Sequence, residues 1–264
     1  MYPYLMCKMQ WPVGKGEFQT VKDFEYNNRG QMFTYYRLFK AKIEKQENTN
    51  KLFRYNSSGI YTHLDLKRAR DLGLTVTLDS LGPNALIYSG KAKIQGQVMF
   101  GAYVDFFFKV KNNSGPAASP AKKILNTLWG ALCQRKITYT DIGKGTKYTV
   151  ESSFEPLEGH IIKSIIPTGE NYWTVYCSNP AEVFLGEYPR VAPFLLAHGR
   201  KMISEIIQPY ADQLKRVHTD GFILEKSGSR TISVAENPSK ILRALKIEKE
   251  GPCTVKNAMQ VIWN

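Results

Sequence analysis

The sequence has no CxxC pair: Cys7, Cys133, Cys177 and Cys253 stand far apart along 264 residues. That spacing excludes the common zinc ribbons and fingers, and four thiols in so long a chain do not make a disulfide-stapled secreted domain. Reduced thiols in an intracellular protein are the expectation. No stretch approaches the roughly 20 apolar residues of a membrane span, and Met1 to Gln10 lacks the apolar core of a signal peptide. Internal repeats are absent. His63, His160 and His198 are isolated and lack metal-ligand spacing. Acids are scarce: 23 Asp and Glu stand against 36 Lys and Arg, a formal net charge of +13. Such a surplus favours a polyanionic partner, nucleic acid first and an anionic membrane second, with plain solubility as the alternative.

What is present is a globular composition, 43% hydrophobic and 12% aromatic. Met32 to Ile43, rich in aromatic and β-branched residues, reads as a strand, and Gly59 to Thr62 as a shorter one. Leu64 to Leu72 reads as a helix stopped by Gly73. Leu74 to Leu78 and Ala85 to Tyr88 read as strands around a Gly82-Pro83-Asn84 turn. Phe100, Tyr103, Val104, Phe107 and Phe108 fall at i, i+3, i+4, i+7 and i+8, one apolar helix face. A second helix opens with Ser119 as N-cap and Pro120 as first helical residue, running to about Gln134. Ile137 to Ile166 alternates like antiparallel strands, Pro193 to Gln208 is helical in pattern, and Arg216 to Glu225 reads as a hairpin with Asp220 and Gly221 at its turn. The fold class expected is α+β, a mainly antiparallel sheet with helices on one side.

On the second helix, Lys122, Asn126, Trp129 and Gly130 stand at i, i+4, i+7 and i+8 and share one face. By itself that is also a solvated lysine and a core tryptophan on an amphipathic helix. Thr219-Asp220-Gly221 is by itself a common turn tripeptide. Gly143-Lys144-Gly145-Thr146 lacks the full P-loop pattern and reads as a strand turn.

Taken in order, these segments resemble the motifs of family B DNA polymerases. Lys122 to Gly130 resembles the fingers motif K-x-x-x-N-S-x-Y-G, with Thr127 for Ser and Trp129 for Tyr. His218 to Gly221 resembles the D-T-D-S hairpin, with His218 for the first Asp and Gly221 for Ser. Met1-Tyr2-Pro3 resembles the second half of D-x-x-S-L/M-Y-P, whose aspartate falls four residues before Met1. Leu196 to Arg200 resembles T-x-x-G/A-R, with Leu196 for Thr, and Leu245 to Gly251 resembles the strand leading into a thumb. About 120 residues separate Tyr2 from Lys122, which suits the viral, plasmid and organellar branch, some of whose members prime with a protein.

The resemblance implies palm at 1–98, helical-hairpin fingers at 99–136, palm again at 137–240 with the catalytic hairpin near 216–226, and the start of a thumb at 241–264. It implies template-directed DNA synthesis by two-metal nucleotidyl transfer from a dNTP to a primer 3′-hydroxyl, with Mg²⁺ as cofactor. Asp220 would be the catalytic and metal-binding carboxylate. Tyr2, Lys122, Asn126, Trp129 and Gly130 would meet the nucleotide; Gly199, Arg200 and Lys246 would meet DNA. The partners implied are primer-template DNA, dNTP and a terminal protein primer, with no membrane. Since the first catalytic aspartate is not in the sequence, little polymerase activity is expected of these residues alone. A non-catalytic nucleic-acid-binding module is the alternative. A reverse transcriptase palm fits less well, since its hairpin carries adjacent acids.

Overall fold

The computed structural model describes residues 1–26, 36–113, 115–143, 146, 154–226, 245, 247–257 and 259–263. Lys246, and the parts of the strand and turn expected at 32–35 and 144–145, lie outside the described residues. In chain order the elements begin with α1 (Tyr2–Lys8), β1 (Gln10–Pro12), β2 (Gly16–Gln19), β3 (Arg37–Ile43), β4 (Ile60–Thr62), α2 (His63–Asp71), β5 (Val76–Leu78), β6 (Ala85–Tyr88) and β7 (Lys93–Gln95). Then follow α3 (Gly96–Asn112), α4 (Ala118–Ala131), β8 (Thr138–Gly143), β9 (Ile161–Gly169), β10 (Tyr172–Ser178), α5 (Val191–Ile207), β11 (Leu214–His218), β12 (Gly221–Leu224), β13 (Cys253–Val255) and β14 (Val261–Trp263). Every pairing of these strands is antiparallel, so the chain is α+β as expected. Among the described residues no helix is long and apolar enough to cross a membrane.

The chain divides into two compact units, Met1–Asn126 with Pro193–Asn264, and Thr127–Ala192. In the first, β2, β6, β3 and β4 lie side by side and β5 also pairs with β3. Arg37, Phe39, Ala41 and Ile43 alternate inward along β3, the period of two that puts one strand face on a core. Phe39, Ala41 and Ile43 meet Leu66 and Ala69 of α2, together with Phe24, Phe53, Tyr61 and Ile87. A capping box starts α2: Thr62 accepts from the Asp65 amide, and Asp65 accepts from the Thr62 amide. Gly73, at φ +77°, ends it in the left-handed region expected of a C′ glycine. In the second unit β10 lies between β8 and β9. Thr174, Val175 and Cys177 of β10 are buried there, while every residue of β9 is exposed.

The structure departs from the sequence pattern at four points. Helix α1 (Tyr2–Lys8), to which the sequence analysis assigns no element, carries Pro3 in its first turn, where a missing amide costs nothing. The fingers-like helix α4 starts at Ala118, with Ala121 bonded to the Ala117 carbonyl. Ser119 and Pro120 therefore sit inside its first turn rather than at the cap and first position. On α3 the buried stripe is Phe100 and Val104, while Tyr103 is exposed. The hairpin β13–β14 near the C-terminus had no counterpart in the sequence pattern.

Candidate active site

Helix α5 organises the site from two of its turns. Ile203 and Ile207 join Leu214 in a small core, against which Met1, Ile206, Val217, Phe222 and Leu224 pack. That core seats the hairpin β11–β12 on α5. Its turn is two residues long, since His218 pairs with Gly221, leaving Thr219 and Asp220 at the tip. Thr219 has φ +54°, a region that costs a β-branched residue on the order of 1–3 kcal/mol. Its hydroxyl donates to Asp220 Oδ1 at 3.1 Å. Asp220 is exposed.

One turn earlier on α5, Gly199 receives the Tyr2 ring. A Cβ there would lie 2.8 Å from Tyr2 Cε1 and 3.1 Å from Met1 Cε, so only glycine admits this approach without displacement. Burial raises the Tyr2 hydroxyl above its usual pKa, the Asp220 carboxylate adds to the rise, and Arg200 and Arg54 oppose it. The Asp220 field also reaches the Met1 α-amino group, whose pKa burial lowers. Tyr2 thus touches Gly199, and Arg200 and Asp220, from distant segments, lie within electrostatic reach of its hydroxyl.

Arg200 is held by a carboxylate that the sequence did not single out. Its Nε donates to Asp65 Oδ1 at 3.1 Å, and its Nη2 donates to both Asp65 oxygens at 2.9 Å. Asp65 therefore serves both the α2 cap and a forked ion pair. The Thr62-x-x-Asp65 spacing was a readable capping signal; nothing local in sequence tied Asp65 to Arg200. Beside this pair the buried Arg68 donates to the Ser204 hydroxyl and to Gln208 Oε1, both at 2.8 Å.

The four fingers residues lie on a different element. Lys122, Asn126 and Gly130 are exposed on one face of α4 with Trp129 half-buried, while Ala121 and Leu125 are buried on the other. A Cβ on Gly130 would meet nothing within 4 Å, so the helix is open to close approach there. Lys246 lies outside the described residues.

Gly199→Ala is expected to push the Tyr2 ring aside and cost about 1–2 kcal/mol. Thermal midpoints of a double-mutant cycle with Tyr2→Ala check this: the alanine penalty should vanish once the ring is gone.

As for the implied Mg²⁺, Asp220 offers hard oxygen donors at an exposed tip, which fits an ion that keeps several waters and takes only one or two carboxylates. Among the described residues no three His, Cys, Asp or Glu side chains are grouped as a metal site.

A family model described as DNA polymerase type B, organellar and viral, matches residues 1–184. That stretch holds α1 and the α3–α4 hairpin and ends before α5 and the Asp220 hairpin. No curated protein matches the sequence. Among solved structures, Phi29 DNA polymerase complexed with primer-template DNA in a post-translocation binary complex is similar at TM-score 0.52 and 15% identity, over 87% of this chain and 37% of that one. The orthorhombic crystal form of Phi29 DNA polymerase gives TM-score 0.49 and 17% identity over 87% and 38%. This chain thus spans little more than a third of that polymerase, and at such identity the likeness is one of fold. With more than two thirds of its length under the family model, the chain belongs to the type B DNA polymerases of organelles and viruses.

Proposed function

We propose that the chain contributes palm (1–98 and 137–240), fingers (99–136) and the start of a thumb (241–264) to template-directed DNA synthesis. The reaction is nucleotidyl transfer from a dNTP to a primer 3′-hydroxyl. The observation that carries this reading is the convergence of Tyr2, Gly199, Arg200 and Asp220 beside the α5–hairpin core. Family membership supports the reaction class.

Each residue then has a part to play. Tyr2, fixed against Gly199, forms the floor for the nucleotide sugar and rejects a 2′-hydroxyl. Lys122 offers a point charge to the triphosphate, and Asn126 and Trp129 border the nascent base pair, with Gly130 leaving room for it. Gly199, Arg200 and Lys246 face DNA. Asp220 would hold Mg²⁺; when bound, the metal lowers the pKa of the primer hydroxyl and neutralises the leaving pyrophosphate. A terminal protein as primer belongs to the same proposal, on the strength of the Tyr2-to-Lys122 spacing alone.

Primer extension tests the reading. A chain extended by D-x-x-S in front of Met1 places a second carboxylate next to a residue already in the field of Asp220. It is expected to incorporate dNTPs with Mg²⁺, and Asp220→Asn in that extended chain should slow incorporation by roughly 10³-fold or more. Incorporation that survives Asp220→Asn would remove Asp220 from the mechanism. A second reading, a non-catalytic nucleic-acid-binding module, is favoured by His218 at the position of the family's first hairpin acid and by the +13 charge. It predicts DNA binding without incorporation in the extended chain.

A further inference from the structure

Between the segment around Leu52–Arg54, α2 and α5 lies a depression lined by Arg54, Arg68, Arg200 and Lys201, with Asp65 and Ser204 among its other walls. Its cations differ in how far they are committed. Arg68 is buried and bonded to Ser204 and Gln208. Arg200 is forked onto Asp65. Two ties fix the rim: the Ser204 hydroxyl donates to the Leu52 carbonyl at 2.5 Å, and Lys51 Nζ donates to the Leu214 carbonyl at 2.5 Å. Arg54, at the end of that strap, is exposed. Lys201 makes a long 3.6 Å ion pair with Glu205 on the next turn of its own helix.

The lining therefore holds an excess of cations on a rigid frame, and two of them have heads to spare for an anion. The motif resemblance points to Arg200 alone. We propose that this depression is a phosphate subsite in which Arg54 and Lys201 are the binding cations and the Asp65-held Arg200 is the fixed wall, receiving a backbone phosphate of the bound nucleic-acid strand. Ownership of the phosphate by a strand rests on the polymerase reading; the anion site itself rests on the lining. The place suits it: the charges of Arg54 and Arg200 both reach the Tyr2 hydroxyl, so a phosphate here lies within electrostatic reach of Tyr2. Guanidinium and ammonium groups make charge-assisted hydrogen bonds to phosphate oxygens, and the planar fork of Arg54 can meet two of them at once.

The experiment uses the whole 264-residue chain, with Arg54→Gln, Lys201→Gln and the pair, and Lys42→Gln on the exposed side of β3 as a charge-matched control. Affinity for primer-template DNA is measured across a salt series, then repeated with pyrophosphate and with a dNTP as competitors, and circular dichroism confirms that each variant is folded. The expected result is a roughly 3–10-fold loss of affinity for each single variant, with Lys42→Gln close to wild type. The salt slope should become shallower by about 0.9 for each phosphate that is no longer neutralised. If pyrophosphate or dNTP displaces DNA from wild type but not from the pair, the phosphate belongs to a nucleotide, and the strand assignment is overturned. If wild type binds DNA and both variants match it in affinity and slope, the subsite is overturned while the proposed function stands. If wild type does not bind DNA, the proposed function fails, and pyrophosphate binding that disappears in the pair is what then upholds the anion site.

Discussion

Lowering the pH from 8 to 5 is expected to weaken the unit containing α1, α2 and α5 by about 4 kcal/mol, through His63 and His198. His63 lies among aromatic rings, 5.5 Å from Tyr36 and 5.9 Å from Phe194 between centroids, and His198 lies 6.1 Å from Trp11. Burial drives His63 down to about 3, helped by the Arg37, His198 and Lys93 charges and opposed by a bond to the Arg37 backbone. Burial drives His198 down to about 4, with Lys201 adding and Asp65 opposing. Both imidazoles therefore stay neutral in the folded chain where the unfolded chain, with pKa near 6.5, takes up protons. Above that value neither ring's titration affects stability. As pH falls from about 6.5 towards 4 and 3, the unfolded state gains protons that the folded state refuses, so stability is lost. At pH 5 each ring accounts for about 2 kcal/mol. Urea midpoints at the two pH values measure the loss, and His63→Leu with His198→Leu should flatten the profile; an unchanged slope in that double variant would show that other groups set it.

Gly96→Ala is expected to cost about 3 kcal/mol or more, and so to lower the thermal midpoint by roughly 6–12 °C. Gly96 opens α3 at the point where the end of α1 turns back. Its amide donates to the Met9 carbonyl at 2.7 Å, and a Cβ would fall 1.7 Å from the Met6 carbonyl oxygen and 2.8 Å from that of Met9. Both are backbone atoms, so a rotamer change cannot relieve the clash and α1 itself must move. The Met6 oxygen is further pinned by the fully buried Trp11, whose Nε1 donates to it at 2.7 Å. Shifting α1 also displaces Tyr2, so in an active extended chain the variant should lose discrimination against ribonucleotides as well as stability. Differential scanning calorimetry checks the first effect, and primer extension with dNTP against rNTP checks the second. A variant with the wild-type midpoint would mean that α1 is not held as described.

Local signals carried well where the physics is local. The α2 stop at Gly73 and the strand Ala85–Tyr88 were readable because a positive-φ glycine and a short apolar run bounded by a turn act over a few residues. The α4 face was readable because helical spacing alone puts Lys122, Asn126 and Gly130 together. Helix α1 was missed because seven residues, one of them Pro3, carry little propensity; packing decides it, through the Gly96 approach and the Trp11 bond. Of the site, the motif order pointed to Tyr2, Gly199, Arg200 and Asp220. Asp65 and Arg54 were invisible because their relation to Arg200 spans more than 130 residues of sequence, and no spacing rule reaches that far. Tyr103 matches Phe100 in spacing and yet is exposed, because spacing does not say where a helix face ends.

Strand β9 carries a different kind of consequence. Among the described strands it is an edge, and Ile161, Ile162, Ile165 and Ile166 are all open to solvent. An apolar, β-branched edge is a template for unwanted pairing between chains. Two residues and two irregularities guard it: Pro167 has no amide to offer, Lys163 sets a charge in the middle of the run, and register shifts interrupt the ladder with β10 at Tyr172/Trp173 and Tyr176/Cys177. The colloidal behaviour of the concentrated chain is therefore expected to turn on two gatekeeper residues of β9, Lys163 and Pro167.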